Sequence, residues 1–203
     1  MVIYKVHPDN PQKRYLESAA HILKVMDGLA IYPTDTVYGI GACISKPKAI
    51  DKIAMLIAKD KSRLVSYICN DFSQISQYAR LSNSHYRLMK RYLPGPYTFI
   101  LNATNLVPKK ISPKRRTVGV RIPDCNVTRE LVNILGEPLG NTSLKLQGDL
   151  SGNPEDIQQH FAAGVDVLLD AGPVDNPTGS TVIDLTDTDI KVIRIGKGEW
   201  WES

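Results

Sequence analysis

The chain has 203 residues, 42% of them apolar and 23% charged, and a formal net charge of +4. That length suits a single domain with a substantial core, and the composition is that of a soluble globular protein rather than a fibrous or disordered one. No apolar run approaches the roughly 20 residues of a membrane span. The opening Met1-Val-Ile-Tyr-Lys-Val-His7 lacks the basic start and apolar centre of a secretory signal, so a cytoplasmic location is expected. Cys43, Cys69 and Cys125 are odd in number and widely spaced, which suggests reduced, buried thiols rather than a disulfide frame or zinc ribbon.

In chain order, Tyr15, Ala19, Ile22, Leu23 and Met26 share one face of a helix over 12–27, closed by Gly28 as its C-cap. Leu29 to Tyr32 reads as a buried strand that Pro33 stops, leaving Thr34, Asp35 and Thr36 at its carboxyl end, where ligands sit in layered α/β sheets. A polar turn is the plainer alternative there. Gly39 and Gly41 have no Cβ and admit a close approach by another backbone or a ligand. Pro47 opens a second helix carrying Ile50, Ile53, Ala54 and Ile57, which fades into the cationic Lys59-Asp60-Lys61-Ser62-Arg63. A strand follows from Leu64 to Cys69. Asp71 or Ser73 caps a short helix toward Tyr78, and Ser82 or Asn83 opens another through Tyr86, Met89 and Leu93.

Pro94-Gly95-Pro96 breaks that helix and delivers a strand from Tyr97 to Leu101. Lys109, Lys110, Lys114, Arg115 and Arg116 form a basic loop broken by Pro108 and Pro113, suited to the phosphates of a nucleotide or of RNA, or equally to a solvated connector. Thr117 to Arg121 is a strand stopped by Pro123. A helix over 127–135 ends at Gly136, and 138–143 leads into a loop over 144–152. Asn153-Pro154 starts a helix to Phe161, and the last strands are 165–170, 181–185 and 191–195. Interleaved helices and strands without a linker predict an α/β (α+β) fold, one domain with a twisted mixed sheet and flanking helices.

No phosphate-binding Gly-x-x-x-x-Gly-Lys loop occurs, and Gly39-Ile-Gly41 is not continued into a dinucleotide fingerprint. His7, His21, His85 and His160 have no metal-ligand spacing, so no protein-held metal is expected. Thr142 stands where a Ser-x-x-Lys nucleophile would need serine. What remains is a repeated pairing of hydroxyls and cations at strand ends: Thr34 and Thr36, Thr98, Thr117 with Arg121, Thr142 with Ser143, Ser180 with Thr181, and Arg194. Gathered in one concavity, they suit a carboxylate or phosphate ligand. Taken singly, each is also an ordinary sheet residue.

Tyr32-Pro-Thr-Asp-Thr-Val-Tyr-Gly-Ile-Gly41, Pro94-Gly-Pro-Tyr-Thr98, Val120-Arg-Ile-Pro123, Thr142-Ser143, Ser180-Thr-Val-Ile-Asp184 and Arg194-Ile-Gly196 resemble, in this order, the threonylcarbamoyl-adenylate synthase superfamily with its YrdC-like domain. His7-Pro-Asp-Asn-Pro-Gln12 and Thr142-Ser-Leu144 look closer to the YciO-type branch. The resemblance implies a YrdC-like domain over 7–203 with a positively charged concave surface. It implies condensation of L-threonine, bicarbonate and ATP with Mg²⁺ into threonylcarbamoyl-AMP, for the N6-threonylcarbamoyl group of tRNA adenosine 37. Family members are also described as binding double-stranded RNA.

By position, Thr34, Arg121, Ser143 and Ser180 would hold L-threonine. Lys59, Lys61, Arg63, Thr117, Thr142 and Arg194 would hold ATP, and Lys109, Lys110, Lys114, Arg115 and Arg116 would meet RNA. Two departures fall in the implied ATP site. Lys61-Ser-Arg63 has the spacing of the family's Lys-x-Arg-Pro element but lies closer to the following strand, and Asn141-Thr-Ser-Leu-Lys145 replaces Ser-Thr-Ser-Ala-Asn.

Overall fold

The computed structural model describes residues 1–56, 66–108, 116–146 and 149–201. Lys59, Lys61, Arg63, Lys109, Lys110, Lys114 and Arg115 lie outside the described residues. The elements run β1 (Val2–Lys5), α1 (Lys13–Val25), β2 (Ala30–Tyr32), β3 (Gly39–Cys43), α2 (Pro47–Leu56), β4 (Ser66–Ile68), α3 (Phe72–Tyr78) and α4 (Asn83–Met89). They continue β5 (Tyr97–Asn102), β6 (Thr117–Arg121), α5 (Asn126–Leu135), β7 (Leu139–Ser143), β8 (Lys145–Leu146), β9 (Asp149–Leu150), α6 (Pro154–Phe161), β10 (Val167–Asp170), β11 (Thr181–Asp184) and β12 (Lys191–Arg194).

Ten strands form one mixed sheet in the order β1-β10-β2-β3-β7-β4-β6-β5-β11-β12, and β8 with β9 make a separate hairpin. Strand alternation divides the core between the two faces. Ala30, Tyr32, Cys43, Ile68 and Leu139 point to α1 and α5, where Leu16, Leu23, Leu131 and Leu135 meet them. Ile31, Ile40 and Ala42 point the other way, to α2 and α6, and Tyr67, Phe99 and Val120 pack with Ile75 and Met89 of α3 and α4. Among the described residues no helix is long and apolar enough to cross a membrane.

Several caps fall where their side chains dictate. Asp71 accepts from Gln74 N and Ser82 from His85 N, Asn153 accepts from Glu155 N with Pro154 in the first turn, and Gly136 takes the left-handed conformation at φ 70°. Gly28 is a correction. The left-handed residue after α1 is Asp27 (φ 52°), and Gly28 is small because a Cβ there would lie 2.6 Å from Ile22 Cγ2. Five strands escaped the sequence reading: β1, β3, β7, and β8 with β9, which fall in the expected loop over 144–152. β1, outside the expected 7–203 domain, pairs in parallel with β10 at one edge, and β7, expected only as a lead into a loop, lies in the middle of the sheet between β3 and β4.

Candidate functional site

Strand register builds the site. Ser66 lies opposite Asn141, Ile68 opposite both Leu139 and Arg121, Val182 opposite both Thr98 and Arg194, and Gly39 opposite Ser143. Because side chains alternate, Gly39, Gly41, Asn141, Ser143, Ser66, Thr117, Gly119, Arg121, Thr98 and Arg194 fall on the same face as Tyr32, Cys43, Ile68 and Leu139, the face on which α1 and α5 pack. Few of these are apolar. The floor is low because Gly119, Ser66 and Thr98 meet there; a Cβ on Gly119 would already sit 3.4 Å from Thr98 Cγ2 and 3.5 Å from Ser66 Cβ.

Over this floor the segment 33–38 folds back toward the carboxyl end of β6. Its own strand β2 runs antiparallel to β6 through the chain of pairings, so the two carboxyl ends lie at opposite ends of the sheet. The rule that placed the hydroxyls and Arg121 together at strand ends therefore does not carry over to this mixed sheet. The contact comes instead from the loop crossing the face, pinned by Thr128 Oγ1 and Cys125 Sγ, both donating to Pro33 O. Thr34 supplies the turn: its hydroxyl donates to Val37 O at 2.6 Å, accepts from the N–H groups of Thr36 and Val37, and lies 2.9 Å from Thr36 Oγ1.

Arg121 is only 3% exposed, and one of its terminal nitrogens, Nη2, donates to Asp35 Oδ1 and, at 2.9 Å, to Thr36 Oγ1. Asp35 Oδ2 accepts from Asp124 N at 3.0 Å, and Lys197 Nζ donates to Asp35 O at 2.7 Å. Across the same row, Arg194 donates from Nε (3.0 Å) and Nη2 (2.7 Å) to Ser180 O, and from Nη2 to Ser180 Oγ at 3.2 Å. Ser180 Oγ lies 2.8 Å from Thr98 Oγ1. Partial burial, and after it the charge of Arg121, hold the Arg194 guanidinium below the ordinary arginine value, which places two cations in one another's field.

Thr34, Arg121, Ser180 and Arg194 thus share one site with Asp35, Thr36 and Thr98. Ser143 and Thr117 lie on the same face but further off: Thr117 is four residues from Arg121 along β6, about 13 Å of strand at roughly 3.3 Å per residue. Thr142 does not join them. It pairs with Ile40, whose side chain packs with α2 and α6, so alternation turns it to the opposite face from Ser143. Arg116, the one described member of the basic loop, is exposed at φ 49° and donates to Asn105 Oδ1 at 2.9 Å.

Gly39 and Gly41 need another correction. What comes close to them is a buried pair of side chains: added Cβ atoms would lie 2.3 Å from Asn141 Oδ1 and 2.3 Å from Tyr32 Oη, and these two atoms are hydrogen bonded at 2.9 Å. Cys43 and Cys69 are buried, Cys125 is half-buried, and all three are free thiols; burial pushes Cys43 up to about 12. Lys197 is the residue the sequence reading missed. Its signal is Gly196-Lys197-Gly198, for a Cβ on Gly196 would lie 2.1 Å from Gly179 O, so only glycine lets this turn lie against the Ser180 segment. A cleft of about 590 Å³ between the start of α6 and the 171–177 segment, and a hollow of about 190 Å³ between α3 and α5, contain none of the predicted site residues.

The class is then defined: an α/β protein with a mixed sheet, one face of which carries two guanidinium groups and several hydroxyls. The Sua5/YciO/YrdC family model, described as "Telomere recombination", matches residues 24–196, and the chain belongs to that family. It is 37% identical over 200 residues to YciO of Escherichia coli strain K12, covering 97% of this chain and 96% of that one. The crystal structure of E. coli YciO superposes with a TM-score of 0.92 at 36% identity over 98% of each chain. The structure of Pyrococcus abyssi Sua5 complexed with L-threonine matches at a TM-score of 0.86 and 26% identity, over 97% of this chain and 58% of that one. This chain thus spans little more than half of that relative.

Proposed function

We propose that the chain is an ATP-dependent synthase that joins L-threonine, bicarbonate and ATP into threonylcarbamoyl-AMP, used for the N6-threonylcarbamoyl group of tRNA adenosine 37. The observation that carries this reading is the cluster Arg121, Thr98, Ser180 and Arg194 on one sheet face, in a fold shared with a relative complexed with L-threonine. Arg121 holds the amino acid's carboxylate, aided by Ser180, while Thr34 sets the loop that brings Thr36 to Arg121 and Ser143 lies further along the same face. Arg194 faces the ATP phosphates, and Thr117 marks the far end of the trough. Mg²⁺ would come bound to the ATP phosphates. Its part is to neutralise charge on the departing pyrophosphate.

The neutral threonine amine attacks bicarbonate and one amine hydrogen leaves with the bicarbonate hydroxyl as water, giving a carbamate. A carbamate oxygen then attacks the α-phosphorus, and the bond to pyrophosphate breaks. The protein's contribution is positioning and charge, with no covalent intermediate. The test is pyrophosphate release that requires both L-threonine and bicarbonate and that falls sharply in Arg121→Ala and Arg194→Ala. ATP turnover indifferent to threonine would end the reading.

One observation favours a second reading, an RNA-binding module. From Phe72 to Pro123 the chain has no Asp or Glu, yet it holds ten of the 25 Lys and Arg residues, among them the exposed Arg80, Arg87 and Lys90 on or beside α4. A phosphate backbone would meet no repulsion there. This reading requires affinity for double-stranded RNA that falls steeply with salt and weakens when Lys109, Lys110, Lys114, Arg115 and Arg116 are neutralised together.

A further inference from the structure

A guanidinium carries five N–H donors in a fixed fork, two of them on Nη2. In Arg121 the Nη2 group serves both Asp35 Oδ1 and Thr36 Oγ1, while Nε is closed off from solvent and has no hydrogen-bond partner among the described residues. Each two-pronged edge of the fork therefore has one prong occupied. On the edge that Asp35 holds, an incoming carboxylate gains its full pair of bonds only where Asp35 lets go. Asp35 is itself well placed to do the holding, its second oxygen on Asp124 N and its carbonyl under Lys197 Nζ.

We propose that Asp35 is an internal stand-in for the substrate's carboxylate: it occupies Arg121 in the ligand-free protein and is displaced when an α-amino acid binds. The inference rests on the reading of Arg121 as the carboxylate-binding residue. Two physical arguments support it. Arg121 is too deeply buried to stand unpaired between turnovers, since an uncompensated buried charge is costly. The side chain that pairs with it offers the same chemical group the ligand would bring, so the two compete for one fork. The apparent affinity for an amino acid is then its intrinsic affinity scaled by the fraction of molecules in which the fork is free. Competition also confers selectivity, because a ligand without a carboxylate cannot replace Asp35.

Calorimetric titration with L-threonine and with L-threoninamide tests this on the full chain. Asp35→Asn, which keeps the shape and removes the competing charge, should tighten L-threonine binding by about tenfold. Asp35→Glu, which keeps the charge, should stay near the parent value, and L-threoninamide should not bind the parent protein. Threonine that binds the parent normally but binds Asp35→Asn no more tightly overturns the proposal. Threonine that fails to bind the parent, or binds Arg121→Ala unchanged, removes the reading of Arg121 and the proposal with it. Should Asp35→Asn not fold, the L-threonine complex of the parent decides: Asp35 must have left Arg121, and Asp35 still holding the guanidinium overturns the idea.

Discussion

The two guanidinium groups of the site lie on one sheet face but are held differently. Arg121 is sealed in, paired with a carboxylate and a threonine hydroxyl, whereas Arg194 sits on an exposed edge strand and folds its head onto the carbonyl and hydroxyl of Ser180. Among the described residues no carboxylate forms an ion pair with Arg194, and burial together with its neighbour's positive charge disfavours its own. The difference teaches that the site has a preset end, whose charge is balanced within the protein, and an open end, whose charge awaits a ligand. An amino-acid carboxylate suits the first by exchange with Asp35. A phosphate suits the second by simple addition.

The strongest way to break this contrast is at the preset end. Asp35→Ala leaves Arg121 buried and unpaired, and should cost about 3–5 kcal/mol of folding stability in a denaturant titration. If the loss were only a few tenths, the pair would be no more than a surface contact. Next comes the floor beneath it. Gly41→Ala forces a Cβ to 2.3 Å from Tyr32 Oη, so Tyr32 and its bond to Asn141 must shift, at about 1–3 kcal/mol by overpacking. Thermal denaturation at unchanged cofactor-free conditions measures it.

At the open end the expectation reverses, with binding lost and folding spared. Arg194→Ala should weaken ATP by about tenfold, near 1.4 kcal/mol, while the denaturation midpoint barely moves. Equal losses of stability in Asp35→Ala and Arg194→Ala would erase the distinction between the ends.

How far this was legible in the sequence follows from the same geometry. Arg121, Ser180 and Arg194 could be picked out because strand and turn signals bracket them, and Pro33, Pro123 and Gly196 mark where pairing stops. What could not be read is topology. The reversed direction of β2 relative to β6 and the central place of β7 depend on which strands pair, a long-range choice no local pattern encodes. Thr142 and Ser143 show the cost: adjacent in sequence, they lie on opposite faces once Gly39 is set against Ser143. Gly39 and Gly41 were rightly seen as points of close approach, yet what approaches is Tyr32 and Asn141, 109 residues apart in the chain.

The finest test lies between the two ends, at Thr98, which is the side chain that links them. Its hydroxyl lies 2.8 Å from Ser180 Oγ, which in turn accepts from Arg194, and one step beyond the Phe99–Val120 pair Thr98 falls opposite Arg121. Thr98→Val keeps the β-branched shape that suits the strand and removes only the hydroxyl, so the folding cost should be about 0.5–1.5 kcal/mol, that of one hydrogen bond. If the ends are independent, ATP affinity falls through Ser180 and Arg194 while L-threonine affinity falls much less, because the carboxylate's main partner, Arg121, makes its hydrogen bonds to Asp35 and Thr36 and none to Thr98 among the described residues. Matched losses for both ligands would mean that the row acts as one unit, and that the preset and open ends are halves of a single charge-binding surface.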